Sequence, residues 1–184
     1  MEVEVEKQAA DIWTVGHSTR SAQEFNEILL AHRIAALVDV RSFPGSRRYP
    51  HFNRPELSNN LETVGIHYAH NPKLGGRRRP TLKSRNTAWK NASFRAYADH
   101  MESAEFKDGI EDLLELASTR NTVIMCAEAL WWRCHRSLIA DFLKSKGLAV
   151  IHIVDGKKTK VHPYTSAARI LNGRLSYEGL LAGQ

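Results

Sequence analysis

The feature that most limits the fold is an alternation of short, mainly apolar runs with stretches of helical spacing. Ile12 to Val15, Ala35 to Val40, Thr122 to Met125 and Leu148 to Val154 read as brief strands without strict in–out alternation. Strands of that kind are covered on both faces, as in a parallel sheet packed between helices. Ser21 and Glu24 have the spacing of a capping box, and Phe25, Ile28 and Leu29 mark the buried stripe of the helix that follows. Helical spacing returns with Phe94, Tyr97, Ala98 and Met101, and again with Phe106, Ile110, Leu113 and Leu114. Arg133 to Lys146 reads as a helix with Leu138, Ile139, Phe142 and Leu143 inward and Gly147 at its stop. A last helix is expected around Ser166 to Leu171. The expected fold is α/β: a single-domain open parallel sheet, Rossmann-like, flanked by helices and joined by right-handed crossovers.

Between Pro44 and Arg95 this rhythm breaks into a segment rich in proline and glycine, with one short strand expected at Gly65 to Ala69. The segment holds eleven basic residues and two acids, a net +9 against +6 for the whole chain, so the remainder is net acidic. A long excursion in a compact domain is usually functional or disordered. One this basic points to a polyanionic partner, nucleic acid first, with DNA ahead of RNA. The 184 residues suit one domain: a tail over 1–10, then an α/β domain over 11–184 with 44–95 as a basic insertion. No apolar run is long enough to span a membrane, and Met1 to Lys7 alternates Glu and Val rather than forming a signal core. Two cysteines cannot supply a secreted disulfide framework. The expectation is a cytoplasmic protein with no membrane partner.

Ligands of open parallel sheets bind at the C-terminal strand ends. Here those ends carry His17 and Ser18, then Asp39, Arg41 and Ser42, then Cys126 and Glu128, and finally Asp155. Glu128, just past an apolar strand, is a candidate general base or stabiliser of an oxocarbenium-like centre, with Asp39 and His17 beside it. The plainer alternative is a structural ion pair of Glu128 with Arg136, and of Asp39 with Arg41. Cys126 precedes a helix whose dipole would favour a thiolate nucleophile. Six residues separate it from Arg133, where phosphate-capturing cysteine enzymes have five. The alternative is that Cys126 and Cys134 are small buried apolar residues. With His135 they make only three metal ligands at unsuitable spacing, so neither a metal nor a cofactor is expected.

Gly75 and Gly76, followed by Arg77, Arg78 and Arg79, form a loop whose backbone amides could approach phosphate. Ser18, Arg41, Ser42, Arg47, Arg133, His135 and Arg136 are further candidate anion ligands. Tyr49, Phe52, Tyr68 and Trp89 lie among the cations, and Trp132 lies above the rim; all five are candidates to stack an exposed base.

Several of these motifs occur in one order. They are Thr14-Val15-Gly16-His17-Ser18, Leu37 to Ser42 with Pro44 and Ser46-Arg47, Leu74-Gly75-Gly76, Phe94 with Tyr97-Ala98 and Met101, and Met125 to Glu128 followed by Cys134-His135-Arg136. Together they resemble the family called domain of unknown function 488, over about Thr14 to Ile153. The resemblance implies a small bacterial-type α/β domain and brings no settled reaction. The chain departs from the expected pattern at Leu130-Trp131-Trp132, where a proline is expected.

The residues together suggest an enzyme acting on nucleic acid. The basic insertion would grip phosphates while Glu128, Asp39 and His17 handle an exposed base, most simply by glycosylase-like cleavage of its N-glycosidic bond. Two alternatives stand beside it. One is a cysteine-dependent enzyme, with Cys126 attacking a small phosphorylated or sulfur-bearing substrate. The other is a nucleic-acid-binding module without catalysis.

Overall fold

A computed structural model describes residues 11–179, and the expected tail over 1–10 lies outside the described residues. Strands β1 (Ile12–Gly16), β2 (Ala36–Asp39), β3 (His67–His70), β4 (Thr122–Cys126), β5 (Val150–Ile153) and β6 (Thr159–Val161) form one sheet in the order β3-β2-β4-β1-β5-β6. The first five strands are mutually parallel, and β6 adds antiparallel at the edge. The α/β expectation therefore holds, with a sheet that is parallel except at one edge.

Helices α1 (Ala22–Ala31), α2 (Arg54–Thr63), α3 (Ala92–His100), α4 (Ala104–Ala117) and α5 (Arg136–Ser145) cover the two faces. Ile12, Val38 and Ile124 pack with Tyr97, Phe106, Leu113 and Leu138 on one side. Leu37, Val123 and Met125 pack with Phe25, Leu29, Leu57 and Leu61 on the other. Successive strand residues thus enter different cores, which is why the strands lack a polar face. The capping box forms as expected: the Glu24 amide donates to Ser21 Oγ at 3.2 Å, and the Ser21 amide donates to the Glu24 carboxylate at 2.8 Å.

Three elements differ from expectation. The insertion is more regular than its composition suggests, because α2 forms inside it, with Leu57 and Leu61 a turn apart on its buried side. The expected helix at Ser166 to Leu171 does not form; β7 (Arg169–Leu171) and β8 (Arg174–Ser176) pair as a hairpin instead. Asn172 and Gly173 join them with φ of 51° and 74°, the left-handed pair that a tight two-residue hairpin loop requires. Finally, α5 starts at Arg136 rather than Arg133, since Trp131–Arg133 forms a short 3-10 turn.

The insertion is tied to α3 and α4 mainly through its backbone. Tyr97 Oη donates to the Leu74 carbonyl at 2.8 Å, Asn71 donates to the Gly109 carbonyl at 2.9 Å, and His100 Nε2 meets the Lys73 carbonyl at 2.7 Å. Gly76 and Arg77 are thereby brought to the C-terminal rim of the sheet.

Candidate functional site

In register, Gly16 of β1 lies opposite Cys126 of β4, and Asp39 of β2 lies opposite Met125. Three central strands therefore end nearly level, and the loops leaving them share one rim. A cleft of about 710 Å³ opens there, between the strand ends, the Phe43–Tyr49 loop, Gly76–Arg77 and the Ala127–His135 loop. The backbone is shaped for this. Ser18 sits at φ 53°, an uncommon conformation for a residue with a side chain, while its amide donates to the Ala127 carbonyl at 3.0 Å. Gly16 has no room for a side chain: a Cβ there would overlap the Glu128 carbonyl and lie 2.6 Å from its carbon.

At the β2 end, Asp39 is fully buried and does not line the cleft. Arg41 grips both its oxygens, with Nε to Oδ1 at 2.9 Å and an Nη to Oδ2 at 2.6 Å, and Tyr68 Oη donates to Oδ2 at 2.9 Å. Asp39 thus holds Arg41, as the plainer reading allowed, and Tyr68 is committed to the same carboxylate. Arg41 itself lines the cleft, 3.4 Å from His17 Nε2. His17 contacts the Ser18 carbonyl through Nδ1 at 2.9 Å and stacks on Phe52 at 4.0 Å. Burial, joined by the charge of Arg41, lowers its pKa to about 4, so it faces the cleft as neutral imidazole. Phe52 supports His17 from within the core rather than offering a free stacking face.

At the β4 end, Glu128 lines the cleft and is exposed. Its carboxylate accepts from the Leu130 amide at 3.1 Å, whereas Arg136 donates to the Glu128 backbone carbonyl instead. The ion pair of Glu128 with Arg136 is therefore absent. The three residues grouped for glycosidic chemistry are divided: His17 and Glu128 face the cleft, and Asp39 is buried beneath it.

The Cys126 and Cys134 sulfurs lie 2.7 Å apart at the cleft floor, and both residues line the cleft. Arg136 is 1% exposed and projects beneath them, Nε 2.9 Å from Cys126 Sγ and one Nη 3.2 Å from Thr14 Oγ1. No carboxylate among the described residues pairs with its guanidinium. A buried cation needs a compensating anion, and the sulfurs are the groups placed to supply it. Burial opposes the charge of Arg136, yet the adjacent sulfurs raise its pKa. Burial alone would raise the Cys134 thiol, but the hydrogen bond with Cys126, then His135 and Arg136, bring it well below the usual range. Burial, then the hydrogen bond with Cys134 and its charge, push the Cys126 thiol up. The α5 N-terminus adds to this, since the Arg136 amide points at Cys134 Sγ from 3.5 Å.

His135 Nδ1 is 3.4 Å from Cys134 Sγ, while its Nε2 meets the Val40 carbonyl at 3.1 Å. Gly76 packs on this ring closely enough that a Cβ would lie 2.8 Å from His135 Cγ. Gly75 is similarly confined against Ser42, with 2.5 Å from its would-be Cβ to Ser42 Oγ. Ser42 Oγ also accepts from the Arg77 amide at 3.1 Å. Both glycines thus serve close packing of the insertion loop; Gly76 lines the cleft and Gly75 does not.

Several expected ligands point elsewhere. Arg47 is exposed outside the cleft, and Arg78 turns back to the Gly75 and Lys73 carbonyls and pairs with Glu105 at 3.1 Å. Trp89 packs on Phe94 and Tyr177, and Trp132 lies edge-on to Trp131; neither lines the cleft. Ser18, Ser42, Tyr49, Arg77 and Arg133 do line it. Phe43 and Arg48 also reach the mouth and were not singled out from sequence, Phe43 lying under the Arg77 guanidinium at 5.6 Å. Among the described residues, no group of three or more His, Cys, Asp or Glu side chains is placed to hold a metal ion.

The sequence pattern defining Domain of unknown function DUF488 matches residues 21–143. The chain belongs to the DUF488 family. Its match spans β2, α2, α3, β4 and most of α5, and so includes Arg41, Gly76, Cys126, Glu128, Cys134 and Arg136. His17 and Ser18 lie just ahead of the matched span, on the β1 end of the same cleft. No curated protein and no solved structure matches this DUF488 chain.

Proposed function

We propose that the protein is a cysteine-dependent enzyme acting on a phosphate-bearing substrate, and the observation that carries this is the buried sulfur pair on Arg136. A sulfur pair with the buried Arg136 guanidinium against Cys126 and the Arg136 amide against Cys134, at the floor of a cleft also lined by Arg77 and Arg133, is suited to attack an anionic electrophile. The arginines bind the phosphate oxygens and offset the charge that would repel the thiolate.

The chemistry divides into two steps. The Cys134 thiolate attacks phosphorus, forming the S–P bond as the P–O bond to the leaving group breaks. The departing alkoxide takes the proton held by Cys126, 2.7 Å from the attacking sulfur. Water then attacks the phosphocysteine, releasing inorganic phosphate, restoring the Cys134 thiolate and returning a proton to Cys126. His17, neutral at physiological pH, donates from Nδ1 to the Ser18 carbonyl and presents Nε2 as an acceptor to Arg41, so it helps to orient that guanidinium rather than supplying charge.

The test is turnover of an aryl phosphate by the full chain, together with the mass of the acid-quenched protein. Cys134→Ser should abolish both turnover and the phosphoryl adduct. Cys126→Ser should slow release of poor leaving groups more than good ones. A Cys126→Ala/Cys134→Ala double variant as active as the parent would end this reading.

A second reading, glycosylase-like cleavage in nucleic acid with DNA preferred, is supported by one observation: Glu128 is exposed in the cleft that Tyr49 and Arg77 also line. It would use Glu128 without Asp39. Glu128→Gln would then remove base release, and affinity for DNA would fall steeply with added salt.

A further inference from the structure

The cleft chemistry leaves a second group of buried polar residues unexplained. Asp141 of α5 is fully buried, and its carboxylate receives four hydrogen bonds. They come from His162 Nε2 at 2.9 Å, the Thr165 amide at 2.9 Å, Thr165 Oγ1 at 2.5 Å and Tyr177 Oη at 2.8 Å. From His162 the contacts continue inward. His162 Nδ1 is 2.8 Å from His152 Nε2, and His152 Nδ1 is 2.6 Å from Thr14 Oγ1. Thr14 Oγ1 accepts from Arg136. All five side chains are buried, and Trp131 stacks flat on His152 at 4.1 Å, closing the chain from solvent.

Counting donors and acceptors fixes the direction of every bond. An ionised Asp141 needs an N–H from His162 Nε2, which leaves Nδ1 as an acceptor. His152 must then donate from Nε2 and accept at Nδ1, and Thr14 must supply that proton. Thr14 Oγ1 is left free to accept from Arg136, so every group in the chain is satisfied with both imidazoles neutral. The reverse arrangement would put a second proton on His162 and leave the Thr14 hydroxyl hydrogen without an acceptor. All bonds in the satisfied arrangement point the same way, from the guanidinium toward the carboxylate, so each polarises the next.

We propose that Thr14, His152, His162 and Asp141 are positioning residues that hold Arg136 against the Cys126–Cys134 pair. This inference rests on the thiol-dependent reading above. A guanidinium paired with a carboxylate in the cleft would spend its charge there. Anchored from behind through hydroxyl and imidazole dipoles, Arg136 keeps Nε directed at sulfur, and the carboxylate that orients the chain stays remote from the reacting atoms. Other charged or titratable groups near these atoms are His135 beside Cys134, Arg20, which donates to the Gly16 carbonyl at 2.6 Å, Lys144, which donates to the His162 carbonyl at 2.7 Å, and Lys160, whose ammonium lies 5.9 Å from the Trp131 ring that covers His152.

The experiment is titration of the thiolate in the full chain, followed by its ultraviolet absorbance and by the pH dependence of iodoacetamide alkylation. The parent protein should show one thiolate titrating below the ordinary thiol range. Thr14→Val replaces the hydroxyl with a methyl group of similar size and should raise that midpoint by about one unit, a roughly tenfold loss of thiolate below it. Thr14→Ser should restore the parent midpoint. If Thr14→Val does not fold, Thr14→Ala replaces it without adding a methyl group. A folded Thr14→Val or Thr14→Ala protein with the parent midpoint overturns the positioning role and leaves the thiol-dependent reading intact. Thr14→Ser titrating like Thr14→Val overturns it as well, since packing rather than the hydroxyl would then be responsible. A parent protein with no low-titrating thiolate overturns the thiol-dependent reading first, and the inference with it.

Discussion

Replacing Gly16 by alanine adds one methyl group where two chain segments touch. The new Cβ would overlap the Glu128 carbonyl, lying 2.6 Å from Glu128 C and 2.9 Å from Ala129 Cα. Carbon atoms in ordinary contact are separated by about 3.5–4.0 Å, so one segment must retreat by roughly 1 Å. Both neighbours are backbone, and Gly16 is itself fixed in β1 opposite Cys126, so the Glu128 loop is the part that gives. Overpacking of this kind costs about 1–3 kcal/mol. The displaced carbonyl also accepts from buried Arg136, and loss of a hydrogen bond to a charged group adds about 1.5–3 kcal/mol. The sum, about 2.5–6 kcal/mol, is a large part of the stability of an ordinary domain and corresponds to a melting point lower by roughly 5–24 °C. Urea denaturation followed by circular dichroism measures it directly. A Gly16→Ala protein with the parent midpoint and slope would show that the loop yields without cost and that Glu128 is not held by Arg136.

Further outcomes are expected. The lowered pKa of His17, about 4, means that the unfolded chain binds its proton first as the pH falls below about 6.5, so stability is lost between there and about 4. His152, lowered to about 2 by burial and by His162, acts in the same direction. His17→Gln should flatten the decline by roughly 3 kcal/mol, and an unchanged pH–stability curve for that variant would contradict the buried neutral imidazole. Arg41→Met strands the buried Asp39 carboxylate and should cost about 3–5 kcal/mol at neutral pH by chemical denaturation, against under 1 kcal/mol for Glu105→Gln at the exposed Arg78 pair. Gly173→Ala forces a side chain into φ 74° and should destabilise the β7–β8 hairpin by about 1–2 kcal/mol, visible as faster amide exchange there with little change at the cleft.

The sheet was legible because its strands are buried on both faces: Leu37 and Val38 each meet a different core, so the apolar runs stand out. The Ser21–Glu24 box and Gly147, at φ 85° past α5, likewise carry their local physics in the residue type. Helix α2 was not read because only Leu57 and Leu61 of its ten residues are buried, too few to set a period, although Pro55 in its first turn marks its start. The hairpin near the end was announced by Asn172-Gly173 and was masked by apolar residues that suited a short helix. The strand-end rim was foreseeable from topology alone, which is why His17, Arg41, Cys126 and Glu128 were found. The roles of Tyr68, Arg78 and Arg136 were not, because pairing is decided by distances across the fold, and the hold of Asp39 on Arg41 stood only as the plainer alternative. His152 lies in β5 and His162 just past the edge strand β6, where sequence gives no sign that they join in series to Asp141.

The sheet order has a consequence for how the polypeptide is made. β1 and β2 follow each other in the chain, yet β4 lies between them and pairs with both. During synthesis β2 and β3 can zip together early, while β1 has no neighbour until translation has passed Cys126 and the new strand threads into the gap. Up to that moment a nascent chain must keep its oiliest ribbons apart, and a ribosome stalled short of β4 would present them to chaperones as two loose halves.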